Sequence, residues 1–327
     1  MTQDFNSQNL WDCIIIGGGP AGLTAGIYSG RAMLKTVLFK GRGGEMSLAI
    51  NVEDFPGFPS GISGLELLSL IEEQNKKFGV VIKDEEIEKV DFSIYPFKLV
   101  SSKKEEYLAK SVIIATGASN RWLGLENEKE LIGKGISVCA ICDGAFFKNQ
   151  IVAVVGGGDV ALENALYLTK YAQKVYVIHR RDELRASKIF QEEAFKNEKI
   201  EFLFNFGIKK IIGDKWLEKI VIENNKNLKQ RELEVKGLFI SIGYEPNTSL
   251  FKGQIELEEN GYIKVKDNVK TSKEGVFACG DVCDFKYRQV ITAAGLGAMA
   301  AIEAERWLKK RQKLITRKIS LRYLPKN

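Results

Sequence analysis

The sequence predicts an α/β protein with two Rossmann-like dinucleotide-binding domains, one inserted into the other. Three observations carry this prediction. A strand, glycine turn, helix and second strand are patterned in WDCIIIGGGPAGLTAGIYSGRA and the TVLF that follows it. The same pattern returns about 140 residues later in QIVAVVGGGDVALENALYLTKYAQKVYVIHRR. A third segment, TSKEGVFACGDV at 271–282, reads as a short strand before the long helical run ITAAGLGAMAAIEAERWL.

Each element follows from its residues. Cys13 to Ile16 form an apolar run that ends in a glycine turn, which reads as a buried strand. Gly17, Gly19 and Gly22 then give G-x-G-x-x-G at the start of a helix. The first glycine permits the tight turn, the second lets a pyrophosphate approach the backbone, and the third lets the helix pack on the strand. TVLF at 36–39 is the next strand, and it ends at Lys40 rather than at an acid. In the second unit Gly156, Gly158 and Ala161 repeat the fingerprint as G-x-G-x-x-A. One such match is weak evidence; two, each after a strand and before a helix, are much stronger.

The strand ends say which nucleotide each unit takes. VYVI runs into His179, Arg180 and Arg181, with Arg185 one turn on, and no acid is placed to hold ribose hydroxyls. Guanidiniums suit a 2′-phosphate, so the second unit reads as an NADPH site, a solvated basic turn being the plainer alternative. In the first unit Gly280–Asp281, at the end of the late strand, can reach the ribityl or phosphate region of a flavin dinucleotide. FAD is therefore expected there. The domains read as 1–119 and 249–308 for FAD, 120–248 for the inserted NADPH domain, and 309–327 for a basic extension. ATGAS (115–119) and IGYEPN (242–247) stand near the two crossings.

Bulk composition sets limits on the remaining readings. At 327 residues, 45% hydrophobic and 28% charged, the chain has material for two soluble cores. The N-terminal MTQDFNSQNLWD is unlike a secretory signal, and no apolar run approaches the roughly 20 residues of a membrane helix. A cytoplasmic location is expected, where a structural disulfide would be unusual. Residues 309–327 carry eight Lys or Arg and no acid, so of the net +6 about −2 is left on the rest. With no basic face patterned in the body, nucleic acid is not an expected partner. The tail reads as a solvated helical extension, with contact to an acidic partner or membrane, or packing over the flavin through Tyr323, as alternatives.

The stretch SVCAICDGAFF sets Cys139 and Cys142 two residues apart, with Asp143 next. By itself it allows a redox pair, half a metal site or two buried thiols. Zinc would need about four ligands, and only one such pair exists among five cysteines and one histidine. No metal is expected. Cys13 reads as a core residue, and Cys279 and Cys283 as packing residues with a second redox pair as the alternative.

GGGPAGLTAGIY, ATGAS, GKGISVCAICDGAFF, VVGGGDVALENA, HRRDELRAS, GYEPNTSLF, GVFACGDV and YRQVITAAGLGAMAA stand in an order that resembles the low-molecular-weight thioredoxin reductases over residues 11–308. The resemblance implies NADPH-dependent reduction of a thioredoxin disulfide through FAD and a C-x-x-C pair, in a cytosolic homodimer. It implies that Cys142 faces the flavin, that Cys139 attacks the partner disulfide, and that Asp143 handles the proton. It adds Pro20, Ala21, Lys40, Gly41, Gly44 and Glu45 to the flavin residues. Asp54, Thr116, Gly117, Arg288, Gln289 and Val290 join them, and Asp159, Val160 and Glu163 join the NADPH residues. It also implies rotation of the inserted domain, hinged near 118–121 and 246–250, so that disulfide and nicotinamide meet one flavin in turn.

Departures from the family pattern bear on efficiency. Glu45 and Asp54 replace neutral amides, which is expected to disfavour an anionic reduced flavin. Val160 replaces a hydroxyl residue and Asn164 an acid, which is expected to weaken NADPH binding modestly. A ferredoxin–NADP reductase would lack the C-x-x-C, and a dithiol oxidase would lack the HRR element. A reductase of another disulfide partner stays open, as does a non-catalytic NADPH-sensing scaffold.

Overall fold

In the computed structural model, residues 9–41, 44–49 and 51–322 are described, with Glu45, Leu48 and 315–322 as backbone only. The order opens with β1 (Leu10–Ile16), α1 (Pro20–Arg31), β2 (Thr36–Phe39), α2 (Gly64–Lys77) and β3 (Val81–Lys83). It continues through β4 (Ile87–Asp91), β5 (Phe97–Ser101), β6 (Glu106–Ile114), β7 (Ala118–Asn120) and β8 (Ile136–Ser137). Then come α3 (Ala140–Asp143), β9 (Ile151–Val155), α4 (Asp159–Leu168), β10 (Lys174–His179), α5 (Lys188–Lys196) and β11 (Ile200–Phe204). β12 (Phe206–Ile212), β13 (Lys219–Asn224), β14 (Gln230–Glu234), β15 (Gly237–Ile240), β16 (Tyr244–Pro246), β17 (Val276–Ala278) and α6 (Val290–Arg322) complete it.

The chain divides into two units. One takes the residues up to Asn51, Phe55–Ser119 and those from Glu245 on; the other takes Asn120–Tyr244 together with Val52–Asp54. The strand β1, CIII at its core, is buried on both faces, and that is why its sequence shows no alternation. It lies between β2 and β6, both parallel to it, in a seven-stranded sheet of order β3-β2-β1-β6-β5-β4. The long β6 serves two neighbours. Phe97–Val100 pair antiparallel with its first half, while β17 lies parallel to Val112–Ile114. One core of this unit gathers Ile14, Phe39, Phe92, Leu99 and Val112.

In the second unit the parallel strands run β11-β10-β9-β15-β8, with α4 and α5 on one side. Val152, Val154, Val175, Val177 and Phe239 point to those helices, and Ala153, Ile178, Leu238 and Ile240 to the other face. That other face is covered by the antiparallel β12-β13-β14 sheet through Ile208, Ile220, Ile222 and Leu233. β7 and β16, from the two crossings, pair as a two-stranded sheet.

The helix that closes the first unit is long, 33 residues, or roughly 50 Å at 1.5 Å per residue. Its early turns pack on α1 so closely that a Cβ at Gly297 would come 2.1 Å from Ala21 O. Further on, Trp307 covers Gly275, and Arg311 lies over the Tyr95 ring, 3.7 Å from its centroid. The basic extension thus begins as helix, and α6 continues to Arg322. Tyr323 lies outside the described residues.

Candidate redox and nucleotide-binding sites

The first glycine loop joins β1 to α1. Gly17 takes φ +119°, and a Cβ there would meet Ala115 O at 2.1 Å, so only glycine fits. This close approach brings the end of β6, and with it Thr116 and Gly117, against the loop. Gly22 packs its bare Cα on Gly17 O. Gly19 differs, since a Cβ there would have nothing within 4 Å, and it faces open space at the amino end of a helix with no acid in its first turn. That geometry fits a diphosphate, which the amino end of a 12-residue helix attracts.

The other expected flavin residues are placed around it. Lys40, just after β2, lies over Gly18 and is ion-paired with Glu72 at 2.8 Å and Asp84 at 3.5 Å. Its amide and that of Gly41 bond to Lys83 O and Glu85 O. Thr116 Oγ1 donates to Asn247 O at 2.8 Å, and Asn247 Nδ2 returns a bond to Thr116 O at 2.9 Å. Gly280 and Asp281 open a 3-10 turn after β17, and Gly280 sits against Ala21. Arg288 and Gln289 make local bonds to Phe285 O and Tyr287 O just before Val290 starts α6. Gly44 precedes a 3-10 turn, Glu45–Leu48. The Glu45 side chain lies outside the described residues.

The second loop repeats the first in detail. Gly156 has φ +151° with Ser241 O 2.3 Å from a built Cβ, and Gly158 again faces open space before α4. Gly157 is covered by the His179 ring, as Gly18 is by Lys40. His179 is 5% exposed, and its Nε2 is 3.0 Å from Glu183 O. Burial, then the nearby Arg185, Arg181 and Arg180, hold its pKa below the usual histidine value, so the ring is neutral near pH 7. The arginine loop is fastened to the fingerprint. Arg185 N and Ala186 N both donate to Gly157 O, and Ser187 N donates to Asp159 Oδ1 at 2.6 Å. Arg180, Arg181 and Arg185 are exposed and pair with no carboxylate among the described residues. Val160 and Glu163 are exposed on α4, whereas Asn164 is buried and donates to Ser241 Oγ at 2.9 Å.

Cys139, just before α3, and Cys142, within it, form a disulfide with Cα atoms 5.3 Å apart. Cys139 is the N-cap of the four-residue α3, and its Sγ accepts from Cys142 N at 3.2 Å. That amide favours negative charge on the Cys139 sulfur over the Cys142 sulfur. Both cysteines are half-buried, and Ile141 and Phe146 beside them are 51% and 50% exposed. Asp143 closes the turn. Burial raises its pKa above the usual carboxylate value, Glu53 and Asp54 add to the rise, and a hydrogen bond from Ser137 opposes it.

Nothing in the sequence assigns Ser137 a role. Its only signal is a serine two residues before the first cysteine, which acquires meaning once β8 is known to end there. The remaining cysteines are different in kind. Cys13 and Cys279 are buried, and burial pushes the Cys13 and Cys283 thiols up to about 12 and Cys279 well above its usual value. They are therefore poor nucleophiles. Among the described residues no group of three or more His, Cys, Asp or Glu could hold a metal ion, and no helix is long and apolar enough to cross a membrane.

Residues 11–297 match the family model described as pyridine nucleotide-disulphide oxidoreductase. The chain is 46% identical to a thioredoxin reductase of Rickettsia conorii, over 91% of this chain and 98% of that one. It is 48% identical to a thioredoxin reductase of Chlamydia trachomatis, over 90% and 97%. Among solved structures, thioredoxin reductase from Giardia duodenalis superposes with a TM-score of 0.88 at 45% identity, covering 92% of this chain and all of that one. The one from Streptococcus pyogenes gives 0.88 at 39% identity, over 93% of this chain and all of that one. By the family match and these identities, the chain belongs to the thioredoxin reductases of the pyridine nucleotide-disulphide oxidoreductase family.

Proposed function

We propose that the protein reduces the disulfide of thioredoxin, or of a thioredoxin-like protein, in the cytoplasm, with NADPH as donor and FAD as the intermediate carrier. The observation that carries this reading is the Cys139–Cys142 disulfide at the head of α3, with Asp143 directly after it. FAD held at the first loop would take a hydride from NADPH and deliver two electrons to the disulfide. Gly17, Gly19 and Gly22 and the amino end of α1 would hold the flavin's diphosphate. Gly156, Gly158 and Ala161 would hold that of NADPH, and Arg180, Arg181 and Arg185 its 2′-phosphate.

The chain's own part is to handle sulfur and protons. Opening the disulfide needs two electrons and one proton and leaves one thiolate and one thiol. Asp143, protonated more readily than an ordinary carboxylate, supplies the proton to the Cys139 sulfur as Cys142 takes the electrons. It takes the proton back when Cys139 attacks the partner. The Cys142 N–H then steadies the attacking thiolate. Exposed Ile141 and Phe146 support a protein partner, because they offer apolar contact next to the sulfurs.

Disulfide and NADPH loop lie in one stretch of chain, 120–248, and the flavin loop in the other, 1–119 and 249–308. We take these as the domains and propose that the inserted one rotates between turnovers about 118–121 and 246–250. A homodimer would cover apolar side chains such as Leu65 and Leu70 of α2, which are 64% and 41% exposed. Anaerobic titration of the flavoprotein with NADPH tests the electron path. Wild-type protein should take up one more hydride equivalent than Cys139→Ser or Cys142→Ser. Equal uptake in all three would remove the disulfide from the path.

A further inference from the structure

Ser137 ends β8, two residues before Cys139, and is 7% exposed. Its Oγ lies 2.5 Å from Asp143 Oδ2, 3.1 Å from Cys139 N and 3.4 Å from Cys139 O. A hydroxyl has one proton to donate and two lone pairs to accept with. Cys139 N–H uses an acceptor site. Of the two candidate acceptors for the proton, the carboxylate is nearer and charged, so it takes the bond, and the carbonyl at 3.4 Å is the weaker one. A single oxygen therefore joins the backbone of one cysteine to the carboxyl that follows the other.

We infer that Ser137 is a positioning residue for the disulfide chemistry, holding the Asp143 carboxyl in register with Cys139 and stabilising its ionised form. This rests on the proton role given to Asp143 above. Every other influence on that carboxyl opposes ionisation. It is partly buried, Asp54 and Glu53 face it electrostatically, and on the α4 side the neighbouring Gly144 packs against Leu168, Tyr167 and Tyr171, none of which is cationic. Without Ser137 the proton would be held too tightly to leave and return in each cycle. Asp143 must release it to the Cys139 sulfur when the S–S bond breaks and an S–H bond forms. The electron pair for that step would be supplied by the flavin when it is bound and reduced, and the carboxylate regains the proton when Cys139 turns to the partner.

The test is isotope-edited difference infrared spectroscopy of the oxidised flavoprotein, following the protonated-carboxyl band of Asp143 against pH with Asp143→Asn as blank. Ser137→Ala should move the half-protonation point up by about one pH unit, the size expected for losing a hydrogen bond to a charged acceptor. Ser137→Thr keeps the hydroxyl and should stay with wild type. The pH profile of disulfide turnover should move with it: Ser137→Ala shifts the acidic limb upward, and Ser137→Thr restores it. Ser137→Gly, expected to shift like the Ala variant, serves if that one is unstable. An unchanged half-protonation point in Ser137→Ala, or a shift in Ser137→Thr as large as in Ser137→Ala, overturns the inference. A wild type that turns over no disulfide would instead sink the functional reading, while the infrared titration still reports on Ser137.

Discussion

Asp143 is a carboxyl whose proton affinity the fold raises, mainly by burial. The folded state therefore binds its proton more tightly than the unfolded chain does. The stability it gives is present at low pH and is lost as pH rises from the ordinary carboxylate value through the folded one. Asp143→Asn should then be more stable than wild type at neutral pH, and thermal unfolding should show the gap closing as pH falls toward 4. The same variant should lose about a hundredfold in disulfide turnover, the lower end of what a positioned acid–base group contributes. His179 titrates the other way. Its lowered pKa makes it a neutral ring over Gly157, so in the proposed NADPH site the charge for a 2′-phosphate would fall to the arginines. Arg181→Ala should weaken NADPH about tenfold or more relative to NADH in competition binding. The cysteine pair and its acid were legible in the sequence because their spacing is local. Ser137 was not, since its contact to Asp143 depends on a two-residue strand ending just there.

The two glycine loops separate folding from binding within a single motif. Gly17 and Gly156 are fixed by backbone in contact with them, whereas Gly19 and Gly158 face open space at ordinary φ. Gly158→Ala should accordingly unfold at the wild-type temperature, yet bind NADPH at least tenfold more weakly by fluorescence titration, because the new methyl occupies the diphosphate's approach. Gly17→Ala, with its Cβ 2.1 Å from Ala115 O, should instead fold poorly. Elements like these were legible because a buried strand, a glycine turn and a helix each mark the sequence strongly. β14 is not legible in the sequence: QRELE buries one residue of five and carries no apolar run or alternation. The antiparallel sheet it belongs to covers a face of the parallel one, a relation set by tertiary packing rather than local pattern.

At the scale of the molecule, the proposed electron path would join two nucleotide loops and a disulfide carried by separate parts of one chain. The twin fingerprints and the late β17 segment were enough to read that an inner unit interrupts an outer one. The grouping of Val52–Asp54 with the inner unit was not readable, because those residues belong by sequence to the outer one. Rotation about 118–121 and 246–250 predicts that a crosslink locking the orientation in which nicotinamide would meet the flavin stops steady-state turnover, while NADPH still bleaches the flavin in a single stopped-flow event. Intact turnover in the crosslinked enzyme would refute that motion. The most direct test of the whole account is NADPH oxidation by the purified flavoprotein, with and without an oxidised thioredoxin, in wild type and in Cys139→Ser. The account predicts oxidation that is fast only with thioredoxin, yields free thiols on it, and is abolished in Cys139→Ser. A wild type indifferent to thioredoxin, or a Cys139→Ser variant that still reduces it, would contradict the assignment of Cys139 and Cys142 as the route from NADPH to a protein disulfide.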